Sequence, residues 1–312
     1  MNKAMQDQQA PALVTPLSER IGLKYPLVCA PMFLISNPAM LIAAARAGIL
    51  GAMPSLNGRS NEQFREMLAQ VKAATDAPFA INMTIGLTDP ERLEADLQAC
   101  IDYGVKVLIT SYGDPTPIVE RAHRHGMIVM HDVVSLRHAR KAQAAGVDAV
   151  IGVSAGAGGH AGSISPMAFI PWLSDELDVP VAAAGCIGSG AQVLSALGLG
   201  AQLCYMGTRF IACEESPAVA DYKAMLADAT PEDIVYTDAV SGIPANFLRA
   251  TLPAKNAIDE QSTRKRWRDI WSAGQGVAQI HQAPAMQDIV QDVMQGYYQS
   301  LARLQGLAAR EA

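Results

Sequence analysis

Eight short apolar runs, spaced roughly 20–30 residues apart, constrain this chain more than any other feature. Leu27–Pro31, Gly48–Ala52, Phe79–Asn82, Val105–Thr110, Met127–His131, Ala149–Val153, Val181–Ala184 and Gln202–Met206 read as strands. The stretches between them carry apolar residues at helix spacing, as in Asn61–Ala74 (Phe64, Met67, Leu68, Val71) and Arg92–Tyr103 (Leu93, Leu97, Ile101). Several end on a glycine placed as a helix cap: Gly104, Gly126, Gly146 and Gly200. Strand–helix alternation of this kind argues for a parallel sheet, and eight strands are what a closed (β/α)8 TIM barrel requires. A chain of 312 residues accommodates that barrel as one domain.

After the eighth run the alternation stops. Pro217–Ala229 reads as a helix, Pro231–Glu260 as irregular chain, and Met286–Leu304 as a helix with a core-facing stripe. The expected organisation is a barrel of residues 1–214 plus 281–312, with 215–280 inserted as a helical cap near the C-terminus.

Composition narrows the partners. Half of the residues are apolar and the net charge is −6, which speaks against a nucleic-acid partner. No run reaches membrane-spanning length, and the polar Met1-Asn-Lys-Ala-Met-Gln-Asp-Gln-Gln start is unlike a signal peptide. Five cysteines without a Cys-x-x-Cys spacing suit reduced thiols and a cytoplasmic location. Small molecules are the expected partners, with a homodimer as the candidate assembly.

In a TIM barrel the chemistry sits just beyond the C-terminal ends of the strands. Met32 follows the first strand, Asn82 the third, and His131-Asp132 the fifth. After the sixth comes a glycine-dense loop, Gly152-Val-Ser-Ala-Gly156-Ala-Gly158-Gly159-His160-Ala-Gly162. Its glycines permit close approach to a ligand, and His160 can exchange a proton near neutral pH. The bland alternative is a histidine that only orders its loop. Gly185-Cys-Ile-Gly188-Ser189-Gly190 follows the seventh strand and Gly207-Thr208-Arg209 the eighth. Loops at those two places recur as a phosphate site in this fold.

Other patterns fit less well. Gly156-Ala-Gly158-Gly-His-Ala161 matches a loose dinucleotide-binding pattern, but follows the sixth strand, and no acid ends the next one. No Lys-Ser or Lys-Thr follows the glycines, so a Walker phosphate loop fails as well. His123 and His125 are badly spaced for a metal and no carboxylate–histidine cluster is apparent, so no metal is expected. Arg264-Lys-Arg-Trp-Arg268 reads as a solvated helix face. Trp271-Ser-Ala-Gly274-Gln275-Gly276 could close over a ligand or form a simple turn.

Taken together, these motifs resemble the nitronate monooxygenase family, formerly the 2-nitropropane dioxygenases, whose FMN-dependent barrels include quinone and enoyl-ACP reductases. The resemblance runs from Pro26-Leu-Val-Cys-Ala-Pro-Met32 through Ala157-Gly-Gly-His160-x-Gly162 and Met206-Gly-Thr-Arg-Phe to Ser272-Ala-Gly-Gln-Gly276. It implies FMN as cofactor, with Met32 against the ring and Asn82 hydrogen-bonded to it. Gly185, Gly188, Ser189, Gly190, Gly207 and Thr208 would cradle the phosphate, beside Gly158 and Gly159. His160 would remove the α-proton of a nitroalkane or orient a nitronate. The implied reaction passes electrons from the nitronate to FMN, and O2 then completes conversion to a carbonyl compound and nitrite. His131, Asp132 and Gln275 would line the substrate pocket. Relatives of the quinone-reductase type often carry a lysine where this chain has Asp132, and many monooxygenases a glutamate where it has Gly156. The competing functions are an NAD(P)H-dependent FMN reductase acting on quinones or enoyl thioesters, and a flavin-binding barrel without turnover.

Overall fold

The computed structural model describes residues 10–253 and 269–309. All eight expected runs form strands, and they close into one parallel barrel. In chain order the barrel elements begin with α1 (Pro16–Ile21), β1 (Leu27–Cys29), α2 (Pro38–Ala47), β2 (Leu50–Pro54), α3 (Asn61–Ala74) and β3 (Phe79–Thr84). They continue with α4 (Pro90–Asp102), β4 (Val107–Ser111), α5 (Thr116–Arg124), β5 (Ile128–Val133), α6 (Leu136–Ala144) and β6 (Ala149–Val153). A two-residue strand β7 (Gly159–His160) precedes α7 (Pro166–Glu176), β8 (Val181–Ala184), α8 (Gly190–Gly198) and β9 (Leu203–Met206). β1 pairs with β2 on one side and with β9 on the other, which closes the ring.

Local sequence signals explain many of the boundaries. Asn37 caps α2 by accepting the Met40 N–H, and Pro38 opens the helix where a missing N–H costs nothing. Gly104, Gly126, Gly146 and Gly200 each sit at positive φ just past a helix end, as expected.

Side chains alternate along the barrel strands between two apolar layers. Ile128 and Met130 of β5 join Val107, Ile109, Ala149 and Ile151 in the barrel interior. Val129 and Val133 point the other way, into the layer beneath the helices. Leu17 and Ile21 of α1 belong to the interior cluster, so this short helix plugs one end of the barrel. The other end carries the functional loops.

Beyond β9 come α9 (Thr208–Ile211), α10 (Ala220–Asp228), β10 (Ile234–Thr237), β11 (Ala245–Leu248) and α11 (Met286–Ala308). The stretch expected to be irregular from Pro231 instead supplies an antiparallel pair, with Ile234 opposite Leu248 and Thr237 opposite Ala245. β11 then pairs with β7 of the barrel loop. Runs of four residues are too short to reveal a period, and β7 lies some 85 positions before the β11 residues it pairs with. α11 lies against α8, where Gly190 and Gly296 let the two backbones approach. Among the described residues no helix is long and apolar enough to cross a membrane. The Arg264–Arg268 run lies outside the described residues.

Candidate active site

The strand ends open into a cavity of about 1750 Å³. Small-molecule sites commonly occupy roughly 300–1,000 Å³, so this one has room for two ligands side by side. Met32, Asn82, His131, Asp132, Gly158, Gly159, His160, Gly185, Gly207 and Thr208 all line it. Chain segments far apart in sequence thus converge on one site.

One wall is a backbone cradle. A Cβ on Gly156 would meet the Cys186 thiol at 2.5 Å and Gln275 Oε1 at 2.7 Å. One on Gly158 would meet Thr208 Oγ1 at 2.9 Å and the Gly274 nitrogen at 3.0 Å. Residues beyond β9 hold this loop in place: the Gln275 N–H donates to Gly156 O at 2.8 Å, and Asn246 Nδ2 donates to Ala157 O at 2.7 Å. The Gly274 N–H donates to Thr208 Oγ1 at 2.9 Å, tying the cap to the loop after β9. Gln275 is therefore a fastener behind the cradle and does not itself line the cavity.

Three other glycine-loop residues also sit elsewhere than expected. Gly188, Ser189 and Gly190 do not line the cavity. The Gly188 and Ser189 N–H groups are taken by Gln192 Oε1 at 2.8 and 3.0 Å, in the cap of α8. Gly190 faces the backbone of α11. The sequence pattern grouped six loop residues as one phosphate cradle, but the start of α8 uses half of them for capping and helix packing.

His160 stands on β7, half-buried on the cavity wall. Its Nε2 lies 3.3 Å from Ser241 Oγ, and its ring meets Tyr112 edge to face at 5.6 Å between centroids. The Ser241 hydroxyl donates to Ile243 O at 3.0 Å. Burial holds the imidazole below its ordinary 6.5. At neutral pH it is an uncharged base.

His131 and Asp132 are adjacent but face opposite layers. His131 shares the outward parity of Val129 and Val133, and its Nδ1 lies 2.8 Å from Thr110 Oγ1. Burial pushes its pKa down to about 4. Asp132 follows the inward parity of Ile128 and Met130, at the top of the barrel interior. With no charged partner among the described residues, burial raises its carboxyl from 3.8 to about 7. Asn82 shares this floor, donating through Nδ2 to Ile109 O at 3.3 Å and reaching Ser111 Oγ at 3.5 Å.

Sequence reasoning missed Tyr112, Tyr205 and Ser241. Tyr205 was within reach, because it alternates inward with Leu203 along β9. Tyr112 joins Leu34 and Cys186 as the described non-glycine residues at positive φ, and all three line the cavity. Backbone strain concentrated at one site is a mark of function, and no sequence motif announces it.

The chain matches the family model described as nitronate monooxygenase over residues 14–265. It is 31% identical over 247 residues to (3aS,4S,5R,7aS)-5-hydroxy-7a-methyl-1-oxo-octahydro-1H-indene-4-carboxyl-CoA dehydrogenase of Mycobacterium tuberculosis, covering 78% of this chain and 68% of the relative. It is 28% identical over 298 residues to a nitronate monooxygenase of Paraburkholderia phytofirmans, covering 81% and 80% of the two chains. In structure it is similar to FabK from Thermotoga maritima, with a TM-score of 0.85, 27% identity, and coverage of 95% of this chain and 99% of that one. The eight-stranded barrel, the strand-end cavity with its glycine cradle, and the extent of these matches lead to one conclusion: the chain belongs to the nitronate monooxygenase family of oxidoreductases.

Proposed function

We propose that this protein is an FMN-dependent enzyme that oxidises alkyl nitronates with O2 to carbonyl compounds and nitrite, and accepts nitroalkanes after removal of the α-proton. The observation that carries this reading is His160, an uncharged imidazole on the wall of a cavity large enough for a cofactor and a substrate together.

The residues present fit FMN. Gly156, Gly158, Gly159, Gly185 and Gly207 bring bare backbone to the cavity wall, as a flat ring or a phosphate at close range requires. The Gly185 turn, Gly207 and Thr208 would hold the phosphate, with Met32 and Asn82 beside the ring. The electron acceptance and the reactivity toward O2 are supplied by FMN when bound.

The chain's own contribution is positional and acid–base. Ser241 stands beside Nε2 of His160, and the imidazole is the group that takes the α-proton of a neutral nitroalkane. The Tyr112 ring edge limits rotation of the imidazole and keeps water from its face. A nitronate arrives already deprotonated and asks only for binding.

A second reading has an observation of its own. The cavity exceeds what a small nitronate needs, and exposed Phe33, Leu34 and Val219 line it. That favours NAD(P)H-driven reduction of a bulkier acceptor, such as an enoyl thioester or a quinone. Anaerobic mixing separates the two. Loss of the yellow flavin colour with a small nitronate alone supports the first reading, whereas bleaching only with NADH or NADPH refutes it. In the first case His160→Asn slows turnover of the neutral nitroalkane by about 10²–10⁴-fold and spares the preformed nitronate.

A further inference from the structure

The barrel floor carries two buried polar atoms that the mechanism above does not use. Asp132 Oδ1 and the Tyr205 hydroxyl are both sealed from solvent, and neither has a hydrogen-bond partner among the described residues. Both side chains line the cavity, Asp132 from β5 and Tyr205 from β9. An unmatched polar atom buried in a barrel costs on the order of 1–3 kcal/mol, so two in one place call for a ligand that satisfies them.

The surroundings of Asp132 are nearly free of charge. On β6 its neighbour at the cavity is Val153, and on β4 the groups are Ser111 and the un-ionised Tyr112 phenol, held up to about 12 by burial and by Asp132 itself. Tyr205 is raised well above its usual range by burial, by Asp132 and by Cys29. On β5, His131 points to the outer layer. Asp114, His138, Lys141 and His160 line other parts of the cavity, and burial is the one resolved influence on the Asp132 carboxyl.

We propose that Asp132 and Tyr205 are hydrogen-bonding groups of the cofactor site, aimed from the barrel floor at the ring bound over them, and that the charge on Asp132 sets how readily that ring takes up electrons. This rests on the FMN reading. An isoalloxazine offers ring nitrogens and carbonyl oxygens as acceptors, which a protonated carboxyl and a phenol match as donors. Once Asp132 ionises, its donor is lost and a negative charge lies beneath a ring about to gain electrons. Reduction is then opposed. Asp132 is accordingly a positioning and electrostatic residue, able to switch near neutral pH because burial has raised it to about 7.

The test is the midpoint potential of the FMN-loaded protein between pH 5.5 and 9, with dithionite supplying two electrons per FMN and water the protons. Reduced FMN has an ionisation of its own in this range, so the reading is the difference between wild type and Asp132→Asn, which is expected to open between pH 6 and 8. At pH 9 the reduction equilibrium of the variant is favoured about tenfold or more over wild type, and at pH 5.5 the two coincide. Superimposable profiles overturn the proposal. A wild-type profile parallel to that of free FMN across the range also overturns it, whether or not the variant folds. A protein that holds no FMN overturns the FMN reading along with it, while one that holds FMN and runs parallel to free FMN overturns this inference alone.

Discussion

Replacing Gly190 by alanine separates two accounts of the loop after β8. A Cβ at this position would lie well inside contact distance of Tyr297 N, Val293 O and Gly296 C, all backbone atoms of α11. Backbone atoms in a helix cannot swing aside as a flexible side chain would. To restore an ordinary contact, α8 and α11 must separate by roughly 1–1.5 Å along their seam. Such overpacking costs about 1–3 kcal/mol, and a rigid opposing surface puts this case at the upper end. Better helix propensity of alanine returns less than about 1 kcal/mol, leaving a net loss near 2 kcal/mol. At about 2–4 °C per kcal/mol for larger domains, the melting temperature should fall by roughly 4–8 °C. Two controls sit close by. A Cβ on Gly296 would meet Gly190 at an ordinary 3.6 Å, and one on Gly198 would meet nothing within 4 Å. Both alanine variants should melt at or slightly above wild type. The assay is thermal unfolding at saturating FMN, together with the FMN content of the folded fraction. An unchanged melting temperature for Gly190→Ala would refute the packing argument, as would FMN loss without any loss of stability, since that result would return Gly190 to the phosphate site.

Two further outcomes follow from the site geometry. Gly158→Ala places a methyl 2.9 Å from Thr208 Oγ1 and 3.0 Å from the Gly274 nitrogen, wedging apart their hydrogen bond; FMN retention on dilution should fall about tenfold with little change in melting temperature, and full retention would count against the cradle. The pH dependence of stability contains two opposing contributions. Asp132, raised from 3.8 to about 7, gives stability that is complete below pH 3.8 and lost as pH rises through 7. His131, lowered from 6.5 to about 4, gives stability that is complete above pH 6.5 and lost as pH falls toward 4. Asp132→Asn removes only the first, so its urea midpoint should gain on wild type from pH 4 to pH 8, by an amount on the order of 4 kcal/mol. An equal gap at pH 4.5 and pH 8 would show that Asp132 does not titrate in this range.

The sequence by itself determined the barrel. Strands buried on both faces must be continuous apolar runs, and helices covering them must repeat every 3.6 residues, so eight such units spaced by capping glycines leave few alternatives. Knowing the barrel also located His160, Met32, Gly207 and Thr208 at the cavity, because each follows or ends a strand, and Asn82, which lies two residues inside the end of β3. Other features depended on distant partners. Ile234–Thr237 and Ala245–Leu248 became strands by pairing with each other and with Gly159–His160, which no local period could announce. Gly188, Ser189 and Gly190 looked like ligand glycines until Gln192 and α11 were seen to occupy them. The histidine among glycines and the acid after His131 were both visible in the chain. Only tertiary structure decided their surroundings: Ser241, 81 positions beyond His160, stands 3.3 Å from its Nε2. Burial at the top of the barrel is what raises the Asp132 carboxyl to about 7. Local patterns set backbone conformation, while protonation answers to whatever the fold brings near.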